Sequence, residues 1–117
     1  MIHRSPRAKY GAVKSVIDGI RFDSKAEARR YVQLKALQQA GEISDLELQV
    51  AYTLLPTQKN ALRTERPVKY VADFRYTRDG AVVVEDTKSK PTRTPEYVIK
   101  RKLMLHVHGI SITEVLT

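Results

Sequence analysis

The chain has 117 residues, of which 42% are hydrophobic and 29% charged, which is the make-up of one soluble domain with a single modest core. It has no cysteine and no apolar run long enough to span a membrane, and its basic first residues lack the apolar stretch of a signal peptide; disulfide and thiolate chemistry are excluded, and neither membrane insertion nor secretion is expected. The 21 Lys and Arg outweigh 13 Asp and Glu to a net charge of +8, a surplus that favours a polyanionic partner because each neutralised phosphate releases counterions.

Residues 1–12 read as a flexible basic arm carrying His3, Arg4, Arg7 and Lys9. In KSVIDGIRF, Asp18-Gly19 between apolar pairs predicts a short β-hairpin. Ser24 followed by Glu27 forms a capping-box pattern, and Gly41 is a natural stop, so a helix is expected over about 24–40. DLELQVAYTLLP alternates and then runs on to Pro56, which predicts one bent strand or two short ones. Residues 57–67 are polar and read as a mobile loop. VKYVADFRY alternates Val68, Tyr70, Ala72, Phe74 and Tyr76 on one face, Asp79-Gly80 turns the chain, and AVVVEDTK returns it. Thr94-Pro95 opens a second helix that runs to about His108 and stops at Gly109. ISITEVL closes as a strand. The order β-hairpin, α, β, β, β, α, β describes a single α/β domain over 1–117, a mixed sheet flanked by helices.

The central hairpin concentrates the chemistry. A two-residue turn at Asp79-Gly80 places Asp73 opposite Asp86, Arg75 opposite Val84 and Val71 opposite Lys88. Opposed side chains on one face lie about 4.5–5.5 Å apart at Cβ, and like charges there repel. Alternation puts Lys88 on the face of Asp86 and turns Glu85 to the other side. A solvated sheet face accounts for Lys88 but poorly for the two aspartates, whereas a divalent cation relieves their repulsion, and a hard ion such as Mg²⁺ selects oxygen ligands. Glu27 completes a capping box or serves that site. It lies on the stripe of Ala28, Tyr31, Leu34 and Leu37 that faces the sheet, where an unpaired acid is costly.

An acid on the first helix, then D-x(n)-(D/E)-x-K across a hairpin, then a helix and a strand, resembles the PD-(D/E)XK nuclease superfamily. FDSKAEARRY, GEISDLELQ, VADFRY, VEDTKSK and TPEYVIKRKL together resemble a phage-encoded domain family of formerly unknown function placed in that superfamily, over about residues 20–116. Ala72 stands where the superfamily name has proline, a position that binds no metal. The resemblance implies a restriction-endonuclease-like core. It implies that Asp73 and Asp86 ligate Mg²⁺, with Mn²⁺ as substitute, together with the Thr87 backbone carbonyl. Glu27 would reach the metal directly or through water, and Lys88 would orient or deprotonate the attacking water and offset transition-state charge.

Lys90, Arg93, Lys100, Arg101 and Lys102 are candidate phosphate contacts, weighed against an ordinary solvated face. Gln49 reads as a polar strand residue near the site, His106 as a core histidine on the stripe of Ile99 and Leu103, and Tyr31 and Tyr70 as core. The expected activity is that of a metal-dependent DNA endonuclease acting on branched or recombining DNA in phage replication, in the host cytoplasm, where the absence of cysteine is at home. A homodimer fits a site that cuts one strand at a time. The rivals are a DNA-binding module retaining a nuclease-like core and a packaging-associated phage protein.

Overall fold

A computed structural model describes residues 15–88 and 93–116. The basic arm read at 1–12, and Lys90 with it, lie outside these residues. Strands β1 (Ser15–Ile17) and β2 (Ile20–Phe22) pair antiparallel as a small sheet of their own. Asp18 at φ 53° and Gly19 at φ 76° supply the two left-handed residues that a tight hairpin turn requires. Helix α1 (Lys25–Gln39) begins at Ser24, whose side chain accepts from the Glu27 N–H at 3.1 Å, a cap of about 1 kcal/mol.

The central sheet has the order β3-β6-β7-β8, with β3 (Ser44–Leu55), β6 (Val68–Arg78), β7 (Ala81–Lys88) and β8 (Thr113–Leu116). The first three strands are antiparallel neighbours, and β8 lies parallel to β7 after the crossover through helix α2 (Pro95–His108). The protein is therefore a mixed α/β domain with a mixed central sheet. Among the described residues no helix is long and apolar enough to cross a membrane.

The register of the central hairpin runs as expected from Arg78↔Ala81 through Arg75↔Val84 to Phe74↔Glu85. Beyond that pair β7 is held by β8, from Glu85↔Thr113 to Lys88↔Leu116. The expected pairings Asp73 with Asp86 and Val71 with Lys88 are thus not ladder pairs, because the two strands part company where the carboxylates begin. Past this point β6 continues with β3 alone, as far as Leu55↔Val68.

Two cores result. Phe22, Ala28, Tyr31, Leu34, Ile43, Phe74 and Tyr76 form one against α1; Leu54, Tyr70, Ala72, Val84, Tyr97 and Met104 form the other against α2. Tyr70, Ala72, Phe74 and Tyr76 are the alternating buried residues of β6, as expected, and they divide between the two cores. Its partner β3 changes over in the same place, with Leu46 and Leu48 against the first core and Tyr52 against the second. Gln49, left-handed at φ 52°, sits at the change-over. The bent-strand alternative is the one realised.

Three further expectations are revised. Residues 57–67 include a hairpin, β4 (Gln58–Lys59) with β5 (Thr64–Glu65), closed by the Asn60 side chain, which accepts from Leu62 N at 2.8 Å and Arg63 N at 3.0 Å. The last strand is limited to Thr113–Leu116. On α2 both Ile99 and His106 are exposed, so His106 is no core histidine. The inner face of α2 is set by polar tips that find partners: Tyr97 and Arg101 bond Glu114 of β8, and His108 Nε2 meets the Thr53 carbonyl at 2.7 Å. These partners act together with the burial of Tyr97, Met104 and Leu103 in the second core.

Candidate functional site

Glu85 and Asp86 stand side by side on β7 and are both buried, an arrangement that needs explanation because each carboxylate must recover its lost hydration. Alternation sends them to opposite faces. Glu85 turns toward α1, where Arg30 donates from Nε at 2.6 Å and Nη2 at 3.1 Å, and Tyr76 donates from its hydroxyl at 2.6 Å. That acid is fully satisfied. It anchors helix to sheet, and in return it holds the Arg30 guanidinium above its ordinary pKa.

Asp86 turns toward α2. Its Oδ2 accepts from the Tyr70 hydroxyl at 2.9 Å and lies 3.3 Å from Lys88 Nζ. The Lys88 ammonium is also 4.1 Å from the Tyr97 ring centroid, a cation–π contact that restricts where the side chain points. Burial, and then the Asp86 carboxylate, push the Tyr70 hydroxyl far above its usual range.

Asp73 comes in from β6. Its Oδ2 accepts from the Thr87 N–H at 2.9 Å, and the Asp86 carboxyl is close enough to act on it. Burial, and next the Asp86 carboxylate, raise Asp73 to about 8, with the Thr87 N–H opposing. Near neutral pH Asp73 therefore keeps its proton. In a strand the N–H and C=O of one residue point to the same side. The Thr87 carbonyl is therefore directed toward the Asp73 side. The Thr87 hydroxyl is buried without a hydrogen-bond partner among the described residues.

Glu27 does not reach back to close a capping box. Its Oε2 accepts from Gln49 Nε2 at 3.3 Å, so the left-handed residue of β3 and the helix acid hold each other. Partial burial raises the Glu27 pKa, Asp23 and Asp86 raise it further, and Lys88 lowers it. Glu27, Asp73, Asp86 and Lys88 are thus electrostatically one group. Among the described residues no three His, Cys, Asp or Glu groups converge closely enough to enclose a metal ion by themselves.

The candidate phosphate contacts are placed differently from one another. Arg93 and Arg101 both engage Glu114, at 2.9 and 2.8 Å, and Lys100 lies 3.7 Å from Glu96. Tyr97, then Arg101 and Arg93, hold the Glu114 carboxyl below its ordinary range. Lys102 is exposed. Reading the sequence alone missed Tyr70, Tyr97 and Glu114 as parts of this region. Glu114 carried a signal, as the one acid in the closing apolar strand.

The profile of a family described as "Protein of unknown function (DUF1064)" matches residues 7–113. Among curated proteins none matches the chain. Among solved structures, the crystal structure of protein VC1899 from Vibrio cholerae is similar at 16% identity and a TM-score of 0.38, over 86% of this chain and 35% of that one. The chain spans about a third of the length of that protein.

Proposed function

Given that the chain belongs to the DUF1064 family, whose description assigns no activity, we propose from its own residues that it is a divalent-metal-dependent DNA endonuclease of the PD-(D/E)XK type. The core would be restriction-endonuclease-like, and the substrate branched or recombining DNA in phage replication. One observation carries the reading: Asp73, bonded to the Thr87 N–H at 2.9 Å, and the buried Asp86 come together on neighbouring strands, with Lys88 3.3 Å from Asp86.

The donor set fits a hard cation. Two neighbouring carboxyl groups that repel each other when both are ionised would be relieved by a divalent ion, and Mg²⁺ binds through one or two carboxylates while keeping several waters. It therefore does not need a cage of three acids. Asp73 and Asp86 would hold the ion with the Thr87 carbonyl, and Glu27 would take part directly or through water. When bound, Mg²⁺ or Mn²⁺ supplies Lewis-acid polarisation of a phosphoryl oxygen and a more acidic water.

The chain's own groups do the rest. Hydrolysis forms one bond from a water oxygen to phosphorus and breaks one bond from phosphorus to a deoxyribose oxygen, which leaves with a proton. Lys88, as an ammonium paired with Asp86, has donors and no acceptor, so in that state it orients the water and offsets charge on the pentavalent phosphorus. The Tyr97 ring and Asp86 keep it in place. Glu27, its pKa raised by its surroundings, is the carboxylate placed to accept and pass on a proton.

The test is incubation of purified protein with supercoiled, linear and four-way-junction DNA, with and without Mg²⁺. Metal-dependent nicking or junction cleavage is expected. Tight DNA binding without cleavage in Mg²⁺ or Mn²⁺ would instead support a binding module retaining a nuclease-like core.

A further inference from the structure

The β3–β6 ribbon runs on past the point where β7 leaves it, and the β4–β5 hairpin is its tip. The ribbon ends at Leu55↔Val68, about 17 Å from Asp73 along β6 at a strand rise of about 3.4 Å per residue. Every residue from 55 to 67 is exposed. An unsupported hairpin of this size costs order without burying anything, yet this one is closed with care. Gln58↔Glu65 and Lys59↔Thr64 pair, Asn60 N donates to the Arg63 carbonyl at 3.0 Å, and the Asn60 side chain accepts two further backbone N–H groups.

The turn so formed lifts Leu62 to the tip, 84% exposed. Around it stand Lys59, Arg63 and Arg66, with Lys69 at the base, against a single acid, Glu65. Among the described residues none of these four cations has an ion-pair partner, in contrast to Arg93, Lys100 and Arg101. An exposed leucine ringed by free cations on a protruding ribbon suits a polyanion with an apolar interior. Nucleic acid is such a partner: cations hold the phosphates while a leucine enters between bases and unstacks them. An uncharged apolar groove on a protein would leave those cations uncompensated.

We propose that the Gln58–Glu65 hairpin is a DNA-binding wedge, with Leu62 inserting between bases at a branch or other weakly stacked step and Lys59, Arg63 and Arg66 gripping the flanking phosphates. The proposal rests on the nuclease reading, and names the feature of the substrate that the protein recognises. A branch is where insertion is cheapest, because unstacking a continuous duplex step costs a few kcal/mol.

The experiment uses the full chain in EDTA, so that binding is read without cleavage. A four-way junction and a duplex of equal length carry 2-aminopurine beside the branch or at the centre, and both anisotropy and 2-aminopurine fluorescence are followed. The wild type is expected to prefer the junction and to raise the fluorescence. Leu62→Ser should abolish the rise and weaken junction binding about fivefold to tenfold, with duplex affinity little changed. Lys59→Ala/Arg63→Ala/Arg66→Ala should flatten the salt dependence by about three units of slope. A Leu62→Ser protein that still unstacks the branch like the wild type overturns the wedge, as does wild type that fails to bind DNA. A self-associating protein whose dimer is lost in Leu62→Ser overturns it too, since the tip would then serve another copy. Unstacking that depends on Leu62 but is followed by no cleavage in Mg²⁺ leaves the wedge standing and removes the nuclease reading alone.

Discussion

Burial and the neighbouring Asp86 raise the Asp73 carboxyl to about 8, so near neutral pH it holds a proton that an unfolded chain, with an ordinary aspartate near 4, has released. The native state then binds more protons than the unfolded state between those two values. Its contribution to stability is complete below about pH 4 and is lost as pH rises through about 8. Calorimetry on metal-free protein should show the melting temperature declining across that window, and declining less in Asp73→Asn, which carries no titrating group there. Saturating Mg²⁺ should raise the melting temperature of the wild type most at the alkaline end and that of Asp73→Asn hardly at all. Parallel pH profiles for the two proteins would show that Asp73 keeps no proton in this window. Lys88 is tested by function: Lys88→Ala should keep Mg²⁺ and DNA binding while turnover falls about a hundredfold or more, because its charge is needed chiefly in the transition state. Equal losses in binding and turnover would make Lys88 a simple phosphate contact.

At the scale of elements, β7 does two jobs by alternation alone. Odd-numbered Glu85 fastens α1 through Arg30 and Tyr76, while even-numbered Asp86 and Lys88 build the site against α2. Adjacent residues of one strand therefore have separable phenotypes. Glu85→Gln should lower stability by about 1–3 kcal/mol, since Arg30 loses its charged partner in a buried setting. Metal affinity of the folded protein should not change. Asp86→Asn should do the reverse, losing metal affinity at little cost in stability. Chemical denaturation and metal titration on both variants decide it, and a Glu85→Gln protein that is stable but metal-blind would place the site on the wrong face of β7.

For the whole molecule, the net charge of +8 is less available to a partner than its count implies. Arg93 and Arg101 are committed to Glu114, and that cluster ties the start and middle of α2 to β8. Arg101→Ala should consequently act mainly on thermal stability and leave the salt dependence of DNA binding nearly intact. Lys102→Ala, with an exposed and unpaired side chain, should lower the salt slope by about one unit without destabilising the fold. Binding isotherms from low to moderate salt, beside melting curves, separate the two. If Arg101→Ala flattens the slope as much as Lys102→Ala does, the Glu114 pairings give way when DNA binds.

The order of the helices and of the strands outside the β4–β5 hairpin, both helix caps, the two Asp-Gly turns and the start of the central register were determined by local sequence, because capping, turn chemistry and alternation act over a few residues. The hairpin turn also brings Asp73 towards Asp86 and Lys88, although the β6–β7 ladder ends one pair short of them. Tertiary structure alone decided the rest. Whether Glu27 caps its own helix or faces the sheet depends on Gln49, far away in the chain and held in a left-handed conformation that no local pattern announces. The division of β6 between two cores depends on β3 changing over at that same residue. The rotation of α2, which exposes His106, depends on Glu114 and Thr53 offering partners from other strands. And the charge count could not say which cations are free, because an ion pair is a distance between residues far apart in sequence, and distance is set only once the chain has folded.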